Sequence, residues 1–137
     1  KQFLHEAVNE ALKLEAALAR LRTAQIIALL HYSPIQQTVE GEPLEIYPFL
    51  GCSRLEEPIG RFPVSAVFHG HADHGQPEGR TTTNVPVFNV SQALMRELFP
   101  ERPFRLVDID MRVTAAAKAE RRPGADRGSV ERVEVTK

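Results

Sequence analysis

Residues 64–75 read VSAVFHGHADHG, an apolar run that ends in a cluster of three histidines. The first five residues are almost continuously apolar, which is typical of a β-strand covered on both faces. A second run of this kind, QIIALL at 25–30, is followed by His31 and then by Pro34. Because proline cannot donate to a sheet ladder, the second run must end there. The two runs predict an α/β fold whose buried strands both end in histidine-bearing loops.

The other elements predict a mixed sheet flanked by helices, in a layered α/β or α+β arrangement. Residues 1–22 carry apolar side chains at three- and four-residue steps, as an amphipathic helix does. The remaining predictions are a loop over 35–49, a short helix over 49–59 closed by Pro58 and Gly60, a turn over 76–80, two β segments within 81–90, a helix over 92–99 capped by Ser91, and a half-buried strand over 104–111.

The composition is that of an ordinary globular protein, and it excludes collagen, a coiled-coil rod and a wholly disordered chain. The chain has 137 residues, 42% of them hydrophobic, and a formal net charge of −1. The near-neutral charge gives no electrostatic reason to expect nucleic acid or a membrane surface as partner. A single cysteine, Cys52, predicts a reducing, cytoplasmic location. Residues 112–137 hold seven Lys and Arg against four Asp and Glu, which predicts a mobile charged tail.

Chemistry-bearing side chains follow both apolar strands. Active sites of covered parallel sheets form at the carboxyl ends of strands, so we expect His31 to lie near the second cluster. That cluster contains His69, His71, Asp73 and His74. Imidazole and carboxylate groups are the ligands that first-row divalent metals prefer. The pattern predicts a metal site in which His71 and Asp73 can each address one metal of a pair.

These segments resemble the calcineurin-like metallophosphoesterases. The resemblance rests on three stretches: LHYSP at 30–34, FHGHAD at 68–73 in the place of the family's Gly-His-X-His motif, and TTTNVPVFNV at 81–90 in the place of its closing strand. It covers residues 1–111 in order and spacing. The fold that it implies is half of a four-layer α/β/β/α sandwich, with a mixed sheet flanked by helices.

The resemblance also implies a site. His31 and His71 would hold one divalent metal, and Asp73 would stand at the ligand position of a second. Apart from the resemblance, His74 is expected either to face the substrate or to be exposed to solvent. In the family, a hydroxide activated by the two metals attacks a phosphate ester. The family's metals are Mn, Fe, Zn or Mg. The aspartate at 73 favours Mn or Mg over softer metals, and Mn is the metal expected. The implied partner is a phosphate-ester substrate, with nucleic acid possible only in that role.

Two departures from the family pattern qualify this expectation. Position 73 is Asp where the family usually has His, and the motifs Asp-X-His, Gly-Asp and Gly-Asn-His do not occur. The first helix, moreover, has no capping residue before it. Residues 1–111 therefore read as the C-terminal half of the domain. The expected partner is the other half, upstream in the same protein or on another chain, which would also cover the exposed edge of a half-sheet.

Structural roles compete with these functional ones. His31 could be a buried histidine bonded to backbone, and His71 and Asp73 could be plain loop residues. The structural expectations for the remaining side chains are as follows: His69 belongs to its strand, Asn84 takes a positive φ in a turn, Asn89 fixes a loop by hydrogen bonding, and Cys52 is a small buried residue. Two other functions stay open, a catalytically degenerate interaction module and a mononuclear zinc hydrolase built from His31, His69 and His71.

Overall fold

A four-stranded mixed sheet organises the chain in its computed structural model, which describes residues 2–109, with side chains from His5 onward. The strands are β1 (Ile26–Leu30), β2 (Val64–His69), β3 (Glu78–Arg80) and β4 (Pro86–Asn89). The helices are α1 (Gln2–Arg20), α2 (Tyr47–Leu50), α3 (Glu56–Arg61) and α4 (Gln92–Leu98), with short 3₁₀ turns between β1 and α3. The predicted α/β class with a mixed sheet is confirmed.

The strand order places the two histidine-bearing strands side by side. The order is β1-β2-β4-β3, with β1, β2 and β4 parallel and β3 antiparallel to β4. Leu30, the last residue of β1, pairs with His69, the last residue of β2. Asn89, the last residue of β4, pairs with His69 from the other side. Three strands therefore end at the same level of one sheet edge.

Helices α1 and α3 cover one face of the sheet. Leu18 of α1 and Ile59 of α3 pack with Ala28, Val67 and Val87, which lie in register on the three parallel strands. Each large apolar side chain buried there contributes about 1.5–3 kcal/mol by leaving water. The amphipathic helix predicted over 1–22 is thus confirmed as α1, and its apolar stripe docks it on the sheet.

The opposite face is open at β1. Ile27 is 54% exposed and Leu29 is 80% exposed, so β1 alternates between buried and exposed side chains. Toward β4 the same face is better covered, because Phe68 stacks on Phe88 and the Arg105 guanidinium lies 4.8 Å from the Phe88 ring centroid. Within residues 2–109, the prediction that β1 is covered on both faces is therefore wrong, since the helices that contact it lie on one side.

The helix predicted over 49–59 forms instead as two short helices, α2 and α3, joined by a 3₁₀ turn. Pro58 and Gly60, which were expected to close it, lie inside α3. Pro58 is tolerated because it occupies the first turn of α3, where a backbone N–H has no partner within the helix. Pro58 thus marks the start of a helix and not its end, whereas Gly60 lies one residue before the last residue of α3.

Four other expectations differ from the structure. Part of the predicted turn over 76–80 is the edge strand β3, and β4 is the one regular strand within 81–90. Residues 104–109 have no regular structure, despite their alternating pattern. Ser91 precedes α4 but makes no capping hydrogen bond, because its hydroxyl donates to the Ala72 carbonyl at 3.3 Å. The last two residues of the predicted strand over 104–111 and the predicted tail 112–137 lie outside the described residues.

Ser65 in β2 offers a test of the packing around the strands. Its hydroxyl oxygen is buried and has no hydrogen-bond partner among the described residues. A buried hydroxyl without a partner costs free energy, so Ser65→Ala is expected to raise the free energy of unfolding by about 1 kcal/mol. Urea denaturation measures the change, with Ser53→Ala at an exposed serine as the control. A loss of stability in Ser65→Ala would show that the hydroxyl has a partner.

Candidate metal centre

The two candidate loops leave neighbouring strands at the same edge of the sheet. His31 follows β1 directly, and His71 lies two residues beyond the end of β2. Since β1 and β2 are parallel and end in register, their loops emerge next to each other. The fold thus brings together two histidines that are distant in the sequence.

The imidazoles of His31 and His71 stack on each other, with ring centroids 4.7 Å apart and an interplanar angle of 28°. The Tyr32 ring contacts both imidazoles edge-on, with its centroid 4.7 Å from that of His31 and 5.7 Å from that of His71. All three side chains are exposed. The alternative of a buried His31 bonded to backbone is therefore wrong, and the pair lies where a ligand can reach it.

The backbone at His71 adopts a strained conformation. Its φ is 70°, in the left-handed region that non-glycine residues rarely occupy. The Ala72 N–H donates to the Gly70 carbonyl at 2.9 Å, so His71 is the central residue of a γ-turn of the rare, positive-φ hand. Strain of this kind occurs preferentially at functional sites, where the surrounding structure maintains it.

The 70–75 loop is fastened to the rest of the fold by polar contacts. The Asn89 amide at the end of β4 donates to the Ala72 carbonyl at 2.7 Å and accepts from the Ser91 N–H at 3.2 Å. The His74 N–H donates to the buried Glu42 carboxylate at 2.8 Å. Asn89 thus fixes a loop, as predicted, and the positive φ of 67° predicted for Asn84 is also confirmed.

Asp73 and His74 are both exposed on the same loop. Within residues 2–109, no three side chains of His, Cys, Asp or Glu come close enough together to hold a metal ion. The structure therefore brings His31 and His71 together and does not add Asp73 or His74 to them. The metal-binding role of Asp73 and the substrate-facing role of His74 stay predictions.

His69 is fully buried, and both of its ring nitrogens have partners. Its Nδ1 lies 2.8 Å from the Gly70 carbonyl and its Nε2 lies 2.7 Å from the Thr38 hydroxyl. Burial lowers the pKa of His69 below its ordinary value, against the opposing effect of the hydrogen bond to the Gly70 carbonyl. The structural role predicted for His69 is confirmed. Both of its ring nitrogens are already engaged, which disfavours the zinc site that would use His69 with His31 and His71.

Two contacts of the histidines in this region were missed by reasoning from sequence. Tyr32 is adjacent to His31 in the chain, but nothing in the pattern indicates that its ring also reaches His71. Thr38 lies in a segment without periodicity, and its contact with His69 joins residues from separate loops. The sequence did contain one indication of the Tyr32 contact, because an aromatic residue directly follows the strand-end histidine His31.

The donor chemistry of the pair fits a divalent metal in part. Two exposed imidazoles side by side offer two nitrogen ligands of the type that Zn, Mn and Fe accept. Protein metal sites commonly use three or four ligands, so two imidazoles alone would supply only part of such a site.

The fold and the site together define the chain as a mixed α/β protein with a paired-histidine edge. No protein-family model, no curated protein and no solved structure matches this chain. None of the helices within residues 2–109 combines the length and the apolar character that crossing a membrane requires.

Proposed function

We propose that this chain is part of a metal-dependent phosphoesterase in which His31 and His71 are ligands of a divalent metal ion. The observation that supports the proposal is the stacking of their exposed imidazoles at 4.7 Å. The reaction class comes from the resemblance of the two strand-end motifs to metallophosphoesterases. The strained γ-turn at His71 is a second, independent sign of a functional position.

Each residue near the pair has a distinct role in this proposal. His31 and His71 donate ring nitrogens, Asp73 donates a carboxylate toward a second metal, and His74 contacts the substrate. Tyr32 holds the two rings from their edge. When bound, a pair of divalent ions supplies positive charge for phosphoryl oxygens and a nucleophile at neutral pH. The hard carboxylate of Asp73 favours Mn over softer metals.

We further propose that a second β-sheet packs against the exposed face of β1. Ile27 and Leu29 expose apolar side chains on β1 that a second sheet would cover. In a four-layer α/β/β/α sandwich, that second sheet is the other half of the same domain. The remaining metal ligands would come from that half, in the full-length protein or on a partner chain.

A catalytically degenerate interaction module is the second candidate. It is favoured by Asp73, which replaces the histidine of the motif and forms no three-residue metal group with His31 and His71 within the described part of the chain. Such a module would keep the fold and bind at most one metal without turning over a phosphate ester.

Removal and replacement of metal test the proposal. The full-length gene product is stripped with EDTA and reloaded with Mn²⁺, Zn²⁺ or Mg²⁺, and hydrolysis of p-nitrophenyl phosphate and of its bis-ester is followed. We expect a loss of about 100-fold or more on stripping and the best recovery with Mn²⁺. Metal content by mass spectrometry is expected to reach two ions per active protein.

The same experiment separates the alternatives. Full metal loading without hydrolysis of either ester would favour the interaction module. One tightly held zinc per chain with no response to Mn²⁺ would contradict the two-metal proposal. If hydrolysis is unchanged after all metal has been stripped, the reaction does not require a metal ion and the proposal is contradicted.

A further inference from the structure

A buried series of hydrogen bonds lies beneath the paired histidines. The Ser33 and Thr38 hydroxyls are 2.7 Å apart, Thr38 Oγ1 is 2.7 Å from His69 Nε2, and His69 Nδ1 is 2.8 Å from the Gly70 carbonyl. Ser33, Thr38 and His69 are all fully buried. A polar network at this depth is costly unless its members are paired, so each contact in it constrains the structure.

The direction of the hydrogen bonds follows from the carbonyl at one end. Because the Gly70 carbonyl can only accept, His69 Nδ1 carries the ring proton, and Nε2 accepts from the Thr38 hydroxyl. Thr38 Oγ1 in turn accepts from Ser33, whose single hydroxyl proton faces both Thr38 Oγ1 and the Ile35 carbonyl, each at 2.7 Å. Thr38 is therefore the central link, since its hydroxyl is hydrogen-bonded to both Ser33 and His69.

The two ends of the series lie in the two loops that carry His31 and His71. Ser33 is two residues after His31, and its backbone is fixed by the bond from its N–H to the Leu50 carbonyl at 2.9 Å. At the other end, the Gly70 carbonyl accepts from His69 and also from the Ala72 N–H that closes the turn at His71. Hydrogen bonds thus connect the central link to both loops.

We propose that Thr38 and His69 are positioning residues that set the relative placement of His31 and His71. This inference rests on the proposed function for its metal, but the geometry that it describes exists without metal. The side chains act through the loops and touch neither the substrate nor the metal. Loss of the Thr38 hydroxyl leaves His69 Nε2 without its donor, so the ring that donates to the Gly70 carbonyl is no longer held at its other nitrogen.

The test compares three variants of the full-length gene product. Thr38→Val keeps the shape and removes the hydroxyl, Thr38→Ser keeps the hydroxyl, and Thr82→Val makes the same change at an exposed threonine. The first readout is taken without metal: nuclear Overhauser effects between the His31 and His71 rings and the ¹⁵N shifts of His69, which report its tautomer. The second readout is the Kd for Mn²⁺ by calorimetry.

We expect Thr38→Val to lose the ring–ring contact, to disturb the Nδ1–H tautomer of His69 and to bind Mn²⁺ about 10–100-fold more weakly, as loss of a supporting hydrogen bond to a metal site does. For Thr38→Ser and Thr82→Val, the Kd for Mn²⁺ is expected to stay within about threefold of that of the unmodified protein. This is well below the change of about 10–100-fold expected when a supporting hydrogen bond is lost. If Thr38→Val does not fold, Ser33→Ala takes its place, with a smaller shift in the same direction.

Failures of the two proposals give different results. If the unmodified protein binds no Mn²⁺, the proposed function fails, while a loss of the ring–ring contact in Thr38→Val still supports the positioning role. If the unmodified protein binds Mn²⁺ and Thr38→Val keeps both the ring–ring contact and the Kd, the positioning role is overturned and the proposed function stands.

Discussion

Replacing His71 by alanine is expected to lower the phosphoesterase activity of the full-length gene product by at least about 100-fold. Changes in groups that merely support a metal ligand already cost about 10–100-fold, and loss of the ligand itself costs more. The stacked ring of His31 cannot compensate, because one imidazole then remains of the pair. The measurement is kcat/KM for p-nitrophenyl phosphate at saturating Mn²⁺. His5→Ala, at an exposed histidine of α1, is the control.

A glycine at the same position separates the function of His71 from its effect on stability. The backbone there has a φ of 70°, which glycine adopts without strain and alanine does not. His71→Gly is expected to be about 0.5–1 kcal/mol more stable than His71→Ala, although both are equally inactive. Thermal unfolding of the two variants gives the comparison. Full activity in either variant would exclude His71 from the site.

Replacing Leu29 by threonine is expected to destabilise the full-length gene product by about 2–4 kcal/mol. Leu29 is 80% exposed on the open face of β1, where the proposed second sheet would bury it. Burial of a leucine stabilises by about 1.5–3 kcal/mol, and a threonine hydroxyl in its place would be desolvated. Threonine is a good strand former, so the change tests the covering layer and not the strand itself.

Leu44→Thr is the matched control, because Leu44 is 74% exposed and lies in a 3₁₀ turn away from the sheet face. It is expected to change the free energy of unfolding by less than about 0.5 kcal/mol. Chemical denaturation measures both variants. Equal and small effects at the two leucines would mean that the face of β1 is open in the native protein, which contradicts the four-layer proposal.

The sequence pattern located the strands that support the site because they are rich in apolar residues. β1 and β2 are continuous apolar runs, and the histidines after them mark the edge of the sheet. β3 could not be found in this way, since Glu78, Gly79 and Arg80 have no strand preference and pair only because Val87 and Phe88 present a free edge to them. Its strand character comes from tertiary pairing.

The segment 104–109 shows the converse error. Its alternating residues predict a strand, yet they form no ladder within the described residues. Arg105 lies instead over the Phe88 ring and forms an ion pair with Glu78. The apolar members of the pattern, Phe104 and Leu106, are 49% and 81% exposed, so the side of the segment that faces the sheet is the one that carries Arg105.

For the site, adjacency to strand ends was predictable and contact geometry was not. His31 and His71 were identified from their positions after parallel strands. The role of Thr38 depends on how a loop without periodicity folds back under β2, and the γ-turn at His71 depends on hydrogen bonds from two other elements. Such contacts are set by packing between segments, which periodicity within one segment does not report.

The position of β1 at the border of the sheet has a consequence for handling the protein. Its sequence, IIALL, carries no charge, and within residues 2–109 its outer backbone groups face no neighbouring strand. A short, uncharged, β-prone edge beside exposed Ile27 and Leu29 is a template for intermolecular strand addition. Samples of this chain are therefore expected to aggregate at high concentration, and a lysine at position 27 should improve their solubility.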